Sequence, residues 1–170
     1  MNIERLKHLI EMLKKVPEEK FDLEFWRNYD EAEPFYESFD TITNESLKRH
    51  GFETLAELSD ATFDVVMDCG TVACAVGWAT SDPVFNAQGF YYGPCPYYTD
   101  EIDKTHYNWD AVEQFFEIEP MTAQQLFSEE SYIFFAKPTH VIERIEALLT
   151  LSKEDFKQFI QTHNETNYNG

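Results

Sequence analysis

Asp68, Cys69, Gly70, Thr71, Val72, Ala73, Cys74, Ala75, Val76, Gly77, Trp78 and Ala79 form a run with a single charged side chain at its first position, in a chain whose net charge is −19. Such a run belongs in an interior. Ala73, Cys74, Ala75 and Gly77 carry so little side chain that another segment can approach their backbone closely, while Val72, Val76 and Trp78 supply apolar bulk. Thr71 can accept a hydrogen bond from a first-turn N–H, so the run predicts a buried central helix over about 71–80 with Thr71 as its N-cap.

The rest of the chain must wrap that helix, and most of its periodicity is helical. Ile3, Leu6, Leu9, Ile10 and Leu13 share one face of an amphipathic helix over 3–15 that ends before Pro17. Asp22 is placed to cap a segment carrying Phe21, Phe25 and Trp26, and short helices are expected over 44–50 and 53–59 on either side of Gly51. Ser81-Asp82-Pro83 stops the central helix and allows a short turn through Phe85. Asp110 precedes the helical Ala111, Val112, Phe115 and Phe116; Pro120 breaks that helix and Thr122 can cap Ala123 to Phe127. Thr139 is the expected cap of a helix through Leu149, and Ser152-Lys153-Glu154-Asp155 is a capping-box variant that opens the last one. Between these, 86–108 crowds Phe90, Tyr91, Tyr92, Tyr97, Tyr98 and Tyr107 around Gly89, Gly93, Pro94 and Pro96 without sustained alternation. The expected fold is therefore mainly α: one compact helical domain over 1–161, an irregular aromatic-rich loop or small hairpin over 86–108, and a frayed tail over 162–170. At 170 residues and 16% aromatics the chain has enough apolar material for one genuine core.

Charge is distributed unevenly. Residues 1–29 hold six acids and six bases, 30–136 hold twenty-one acids and three bases, and 137–170 hold five and four. A protein that binds nucleic acid directly needs clustered Lys and Arg to neutralise phosphates, so this field argues against DNA, RNA and anionic membranes. It attracts a basic protein surface instead. Three cysteines, no apolar stretch of membrane-spanning length and a polar beginning lead to the expectation of a cytoplasmic protein, in the host cytoplasm if the chain is phage-encoded. A homo-oligomer is compatible with this composition.

Cys69-Gly70-Thr71-x-x-Cys74-x-x-Gly77-Trp78-Ala79 resembles the C-G-T-x-x-C-x-x-G-W-A motif of a functionally uncharacterised family of small phage and bacterial proteins. Phe21-Asp22-Leu23-x-x-Trp26 is similar to that family's F-D-M-x-x-W. Ala111-x-x-x-Phe115, followed by Ala123-x-x-Leu126-Phe127, resembles its helix pair, and Lys137 to Ile145 its penultimate helix. The resemblance implies a mainly helical single domain and a phage origin, and it carries over no catalytic residue. The long acidic stretch between Trp26 and Cys69 and the aromatic loop before Trp109 depart from the pattern.

Three functional expectations follow. The first is a non-enzymatic accessory protein that inhibits a basic host or defence protein through an acidic, DNA-mimic-like face formed by Asp30, Glu31, Glu33, Glu37, Asp40 and Glu45, with loop aromatics as apolar anchors. The second is capture of a nucleotide-like immune signal in a pocket of Thr71, Val72, Tyr91, Tyr92, Tyr98 and Trp109, with phosphate on the helix N-terminus and the base on the aromatics. The third is a Cys-dependent hydrolase, with Cys69 as nucleophile and His140 as base; Cys69-Gly70-Thr71 is similar to the C-G-S-C-W of papain-like proteases, but Cys74 then falls inside the helix. Cys69, Cys74, Cys95 and His106 offer four nominal zinc ligands at spacings unlike the usual paired arrangement, so neither metal nor cofactor is expected.

Overall fold

The computed structural model describes residues 1–24, 26, 73–93 and 95–168. The expected helices over 44–50 and 53–59, and the acidic connection before them, lie outside those residues.

α1 (Ile3–Leu13) opens with Asn2, whose side-chain oxygen accepts from the Arg5 N–H at 3.2 Å. Its inward face buries Leu6, Leu9, Ile10, Met12 and Leu13. A 3-10 turn (Glu18–Lys20) then leads into a β-bridge at Phe21 and bends at Leu23, Glu24 and Trp26, where Asp22 Oδ1 accepts from the Glu24 N–H at 2.9 Å; no helix follows Asp22 among the described residues. In the bridge Phe21 pairs in parallel with Ala73: the Ala73 N–H donates to Lys20 O at 3.1 Å and the Asp22 N–H to Ala73 O at 3.2 Å.

That bridge delivers the chain to α2 (Ala75–Ala79), all five residues of which are buried. Burial of this helix agrees with the sequence, but its start does not. The N-cap is Cys74, whose Sγ accepts from the Gly77 N–H at 3.3 Å, so Thr71 does not cap it. Trp78 is wholly enclosed and its indole N–H donates to Lys20 O at 3.1 Å, so a large apolar body is buried without orphaning its polar atom. The short turn expected through Phe85 is a one-turn helix, α3 (Pro83–Asn86), with Asp82 Oδ1 accepting from the Val84 and Phe85 N–H groups and Pro83 in the first turn.

The expectation of a mainly α domain with an irregular loop or small hairpin over 86–108 is corrected at 90–107, where the hairpin forms and a third strand extends it into a sheet. β1 (Phe90–Tyr92), β2 (Pro96–Thr99) and β3 (Thr105–Tyr107) form an antiparallel sheet in the order β1-β2-β3. Helices still make up the larger part of the described residues, yet the fold is mixed α and β. Register explains the aromatic density. Phe90, Tyr98 and His106 stand opposite one another and are buried; Tyr91, Tyr97 and Tyr107 form the alternate row on the outer face, with rings 5.5 and 6.4 Å apart. Strands of three or four residues are too short for such alternation to stand out in a sequence.

The inner row packs on α4 (Asn108–Phe116), where Phe90 stacks on Phe115 at 4.2 Å and 5° and Phe85 meets Phe115 edge-on. The Arg5 guanidinium lies 4.2 Å from the Phe115 ring centroid and donates to the Phe115 carbonyl, tying α1 to the same cluster. Complete burial of Leu6, Leu9, Phe85, Phe90 and Phe115 contributes about 1.5–3 kcal/mol for each side chain. Asp110 does not precede α4 but lies in its first turn.

Pro120 starts α5 (Pro120–Phe127), a turn before the expected Thr122 cap, because a proline at the first helical position loses only an N–H that has no intrahelical partner. After a second 3-10 turn (Glu129–Ser131), α6 (Pro138–Thr150) is likewise capped early, at Lys137, two residues before Thr139. Its apolar face packs on α1. α7 (Lys153–Tyr168) starts at the expected Ser152 device: the Asp155 N–H donates to Ser152 Oγ and that hydroxyl donates to Asp155 Oδ2. It continues to Tyr168 instead of fraying from Thr162.

A Cβ built on Gly77 would lie 1.6 Å from the Trp26 carbonyl oxygen. Gly77→Ala must therefore push the 20–26 segment off α2, and a loss of about 3 kcal/mol or more in urea-unfolding free energy is expected. Asn86 presents a different fault: both side-chain polar atoms are buried without a partner among the described residues. Asn86→Leu is expected to raise the urea midpoint by the equivalent of about 1 kcal/mol, because it removes an unsatisfied amide.

Candidate functional site

Leu23, Trp26, Cys74, Trp109, Phe127 and three glutamates, Glu24, Glu129 and Glu130, surround an open hollow of about 210 Å³. It forms where separated segments meet. The Phe21–Ala73 bridge brings Leu23 and Trp26 to the start of α2; the first turn of α4 brings Trp109; the end of α5 and the turn after it bring Phe127 and the glutamate pair. Trp26 is seated from behind, since its carbonyl rests on Gly77 and accepts from Cys74 Sγ at 3.9 Å. Its ring meets that of Trp109 at 4.9 Å and 58°. Glu24, Glu129 and Glu130 are exposed, and their side chains make no ion pair or hydrogen bond among the described residues.

The sequence-predicted residues do not converge there as a set. Trp109 lines the hollow, but Tyr91, Tyr92 and Tyr98 do not. Tyr98 belongs to the core, packed edge-on against Phe115, and Tyr91 stands on the outer face of the sheet against Tyr97. Burial raises the Tyr91 phenol above its ordinary range. Thr71, Val72 and Cys69 lie outside the described residues, as do Asp30, Glu31, Glu33, Glu37, Asp40 and Glu45. Trp26, Glu129 and Glu130 carry no site signal in the sequence: the tryptophan looks like core, and two adjacent glutamates look like surface. Only the three-dimensional meeting of both tryptophans would mark them.

Of the four candidate zinc ligands, Cys69 lies outside the described residues, Cys95 is a free, half-buried thiol, and Cys74 and His106 have other roles. Cys74 caps α2, and buried His106 bridges Asp110 Oδ2 at 2.7 Å and Asp100 Oδ2 at 3.4 Å, fastening the β2–β3 turn to α4. Hydrogen bonds from the Lys104 and Ile102 N–H groups and from His106 hold Asp100 below the ordinary carboxylate range. Among the described residues no group of three or more His, Cys, Asp or Glu side chains is arranged to hold a metal ion. Nor is any helix among them long and apolar enough to cross a membrane.

His140 sits in a second polar cluster, at the α6–α7 junction. Arg144 is fully buried with its guanidinium 3.4 Å from the centroid of Tyr132, and it donates to Gln125 O, Ser131 O and Asn164 Oδ1. Its Nε also donates to His163 Nδ1 at 3.4 Å, while His163 Nε2 faces Glu143 Oε2 at 2.9 Å. His163 must therefore be neutral, with its proton on Nε2, to make both contacts. Burial lowers its pKa, the Arg144 charge adds to this, and Glu143 opposes it. His140 accepts from the Lys137 N–H at 3.0 Å and is likewise lowered, first by burial, with His163, Lys137 and Arg144 adding to this and Glu143 opposing. Every polar contact in this cluster closes on the protein itself, so it serves to join α6, α7 and the 126–132 turn.

The described residues thus define a mixed α and β fold with an open aromatic hollow ringed by carboxylates. No protein-family model, curated protein or solved structure matches the chain.

Both histidines have folded pKa values below their unfolded ones, so their contribution is complete above about pH 6.5 and is lost as pH falls from there through the lowered values. His163→Asn keeps an acceptor for Arg144 but cannot titrate. The difference in urea midpoint between the native chain and this variant, followed from pH 7.5 to 5, is expected to shrink or reverse as the native chain loses its advantage.

Proposed function

We propose that this chain is a non-enzymatic acidic accessory protein, of phage type, that binds and inhibits a basic host or defence protein by occupying a surface that otherwise meets nucleic acid. One observation carries the reading: residues 30–136 hold twenty-one acids against three bases, between two nearly neutral ends. The part of that segment within 73–136 has ten acids and a single base, Lys104. Solubility alone asks for a net charge of about 2–8 in a small domain. A field of this size steers a cationic surface inward and repels phosphate. The acidic face is assigned to Asp30, Glu31, Glu33, Glu37, Asp40 and Glu45, and the phage character rests on the motif resemblance. The carboxylates around the hollow beside α2 weigh against a nucleotide-like ligand there, because they repel the phosphate that such a ligand would bring.

The partner is to be recovered by pull-down from host lysate at low salt and identified by mass spectrometry. Its affinity is expected to fall steeply with added salt, and Glu31→Lys, Glu33→Lys, Glu37→Lys and Asp40→Lys in combination are expected to abolish binding with the circular dichroism spectrum unchanged. A salt-insensitive complex, or a charge-reversed chain that still binds and inhibits, refutes the reading.

A further inference from the structure

We infer that the hollow lined by Trp26 and Trp109 receives an arginine side chain of the basic protein partner. The inference rests on the proposed basic-partner reading and deepens it by giving that partner a specific anchor.

Size is the first argument. At about 210 Å³ the hollow falls below the roughly 300–1,000 Å³ usual for a cofactor or small-molecule pocket, and it is open to one side, as a seat for a single projecting side chain must be. Its lining is the second. The two indoles, packed on each other at 4.9 Å and 58°, form an aromatic wall for a cation, Leu23 and Phe127 offer apolar surface to a methylene stem, and Glu24, Glu129 and Glu130 supply negative charge at the edge. A phosphate or carboxylate would be repelled by those glutamates. A neutral side chain would gain nothing from them. Those carboxylates have no ion pair or hydrogen bond among the described residues, so a cation entering the hollow displaces no internal partner.

Arginine fits better than lysine. Its planar guanidinium stacks on an indole and still directs N–H groups at carboxylates in the same plane, whereas an ammonium is compact and holds its water more strongly. The chain's own described arginines are engaged elsewhere: Arg5 on the Phe115 carbonyl and Gln88, Arg144 in the buried cluster. The seat is also built in advance. Gly77 fixes the Trp26 backbone from below and Trp109 is held in the first turn of α4, so little ordering remains for binding to impose.

The test titrates tetra-arginine amide, and in parallel tetra-lysine amide, into the full-length chain at low salt. Calorimetry reads total binding, and the three indole N–H resonances, assigned with Trp26→Phe and Trp109→Phe, read its location. Saturable movement of the Trp26 and Trp109 signals with a still Trp78 signal is expected, along with weaker binding of the lysine peptide. Glu129→Gln with Glu130→Gln is expected to weaken tetra-arginine binding by about tenfold while the Trp78 resonance stays in place. Binding that leaves the two indole signals unmoved, or that is unchanged in the glutamine variant, overturns the hollow as the seat and leaves the basic-partner reading standing. Equal binding and equal shifts with lysine overturn the choice of arginine. No heat with either peptide at low salt overturns the basic-partner reading itself.

Discussion

The contact between the Trp26 carbonyl and the bare Cα of Gly77 organises this molecule. A backbone oxygen can sit on a helix only where no Cβ projects, and Gly77 supplies that opening on a helix otherwise filled with Ala, Val and Trp. Around the same spot the Phe21–Ala73 bridge aligns the two segments, Cys74 caps α2 through Gly77, and Trp78 reaches back to Lys20. Two sequence patterns that look independent, Phe21-Asp22-Leu23-x-x-Trp26 and Cys74-x-x-Gly77-Trp78-Ala79, are the two sides of one joint. The close packing that makes the joint rigid also fixes Trp26 against Trp109, so the core and the hollow depend on the same contact.

Features governed by residues near in sequence are legible in the chain. The apolar faces of α1 and α6, the Asp82 cap before Pro83, the hydroxyl device at Ser152 and the burial of 75–79 all follow from local spacing and local hydrogen bonding. Caps at Lys137 and Glu119 are missed because neither residue is a usual capping type; Pro138 and Pro120 set the first helical position instead. The sheet is foreshadowed only as a small hairpin, and its third strand is missed for another reason. The sheet's inner row of Phe90, Tyr98 and His106 takes one residue from each of three strands, and no window along the sequence contains more than a fragment of the pattern. The hollow is harder still, since its tryptophans come from opposite sides of the long acidic segment. Tyr91, Tyr92, Tyr98 and Trp109 look like one aromatic set in sequence because they are close in number; pleating and the turn into α4 send them to different places.

Where the bases lie sharpens the meaning of the acidic excess. Lys7 and Lys14 pair with Glu4 and Glu11 on α1, Lys137 with Glu18, and Lys153 with Glu119, so four of the thirteen bases close on neighbouring carboxylates. Each exposed pair contributes little to stability. Arg144 goes further and leaves the surface altogether. Its charge is met by carbonyl and amide oxygens and by the Tyr132 ring, with Glu143 one histidine away, so an interior cation is accommodated without withdrawing a surface carboxylate directly.

Glu101, Asp103, Glu129 and Glu130, by contrast, are exposed and make no side-chain ion pair or hydrogen bond among the described residues. Their mutual repulsion opposes compaction, and folding must carry that cost through the aromatic core and the α1–α6 packing. A chain that used its cations to neutralise its own middle would be more stable and less able to attract a cationic surface. Placing the bases at the ends and in the interior preserves the field. On the proposed reading, where that field meets the two indoles, long-range attraction would be converted into a short-range, oriented contact: the carboxylates would raise the encounter rate and the aromatic wall would hold what arrives.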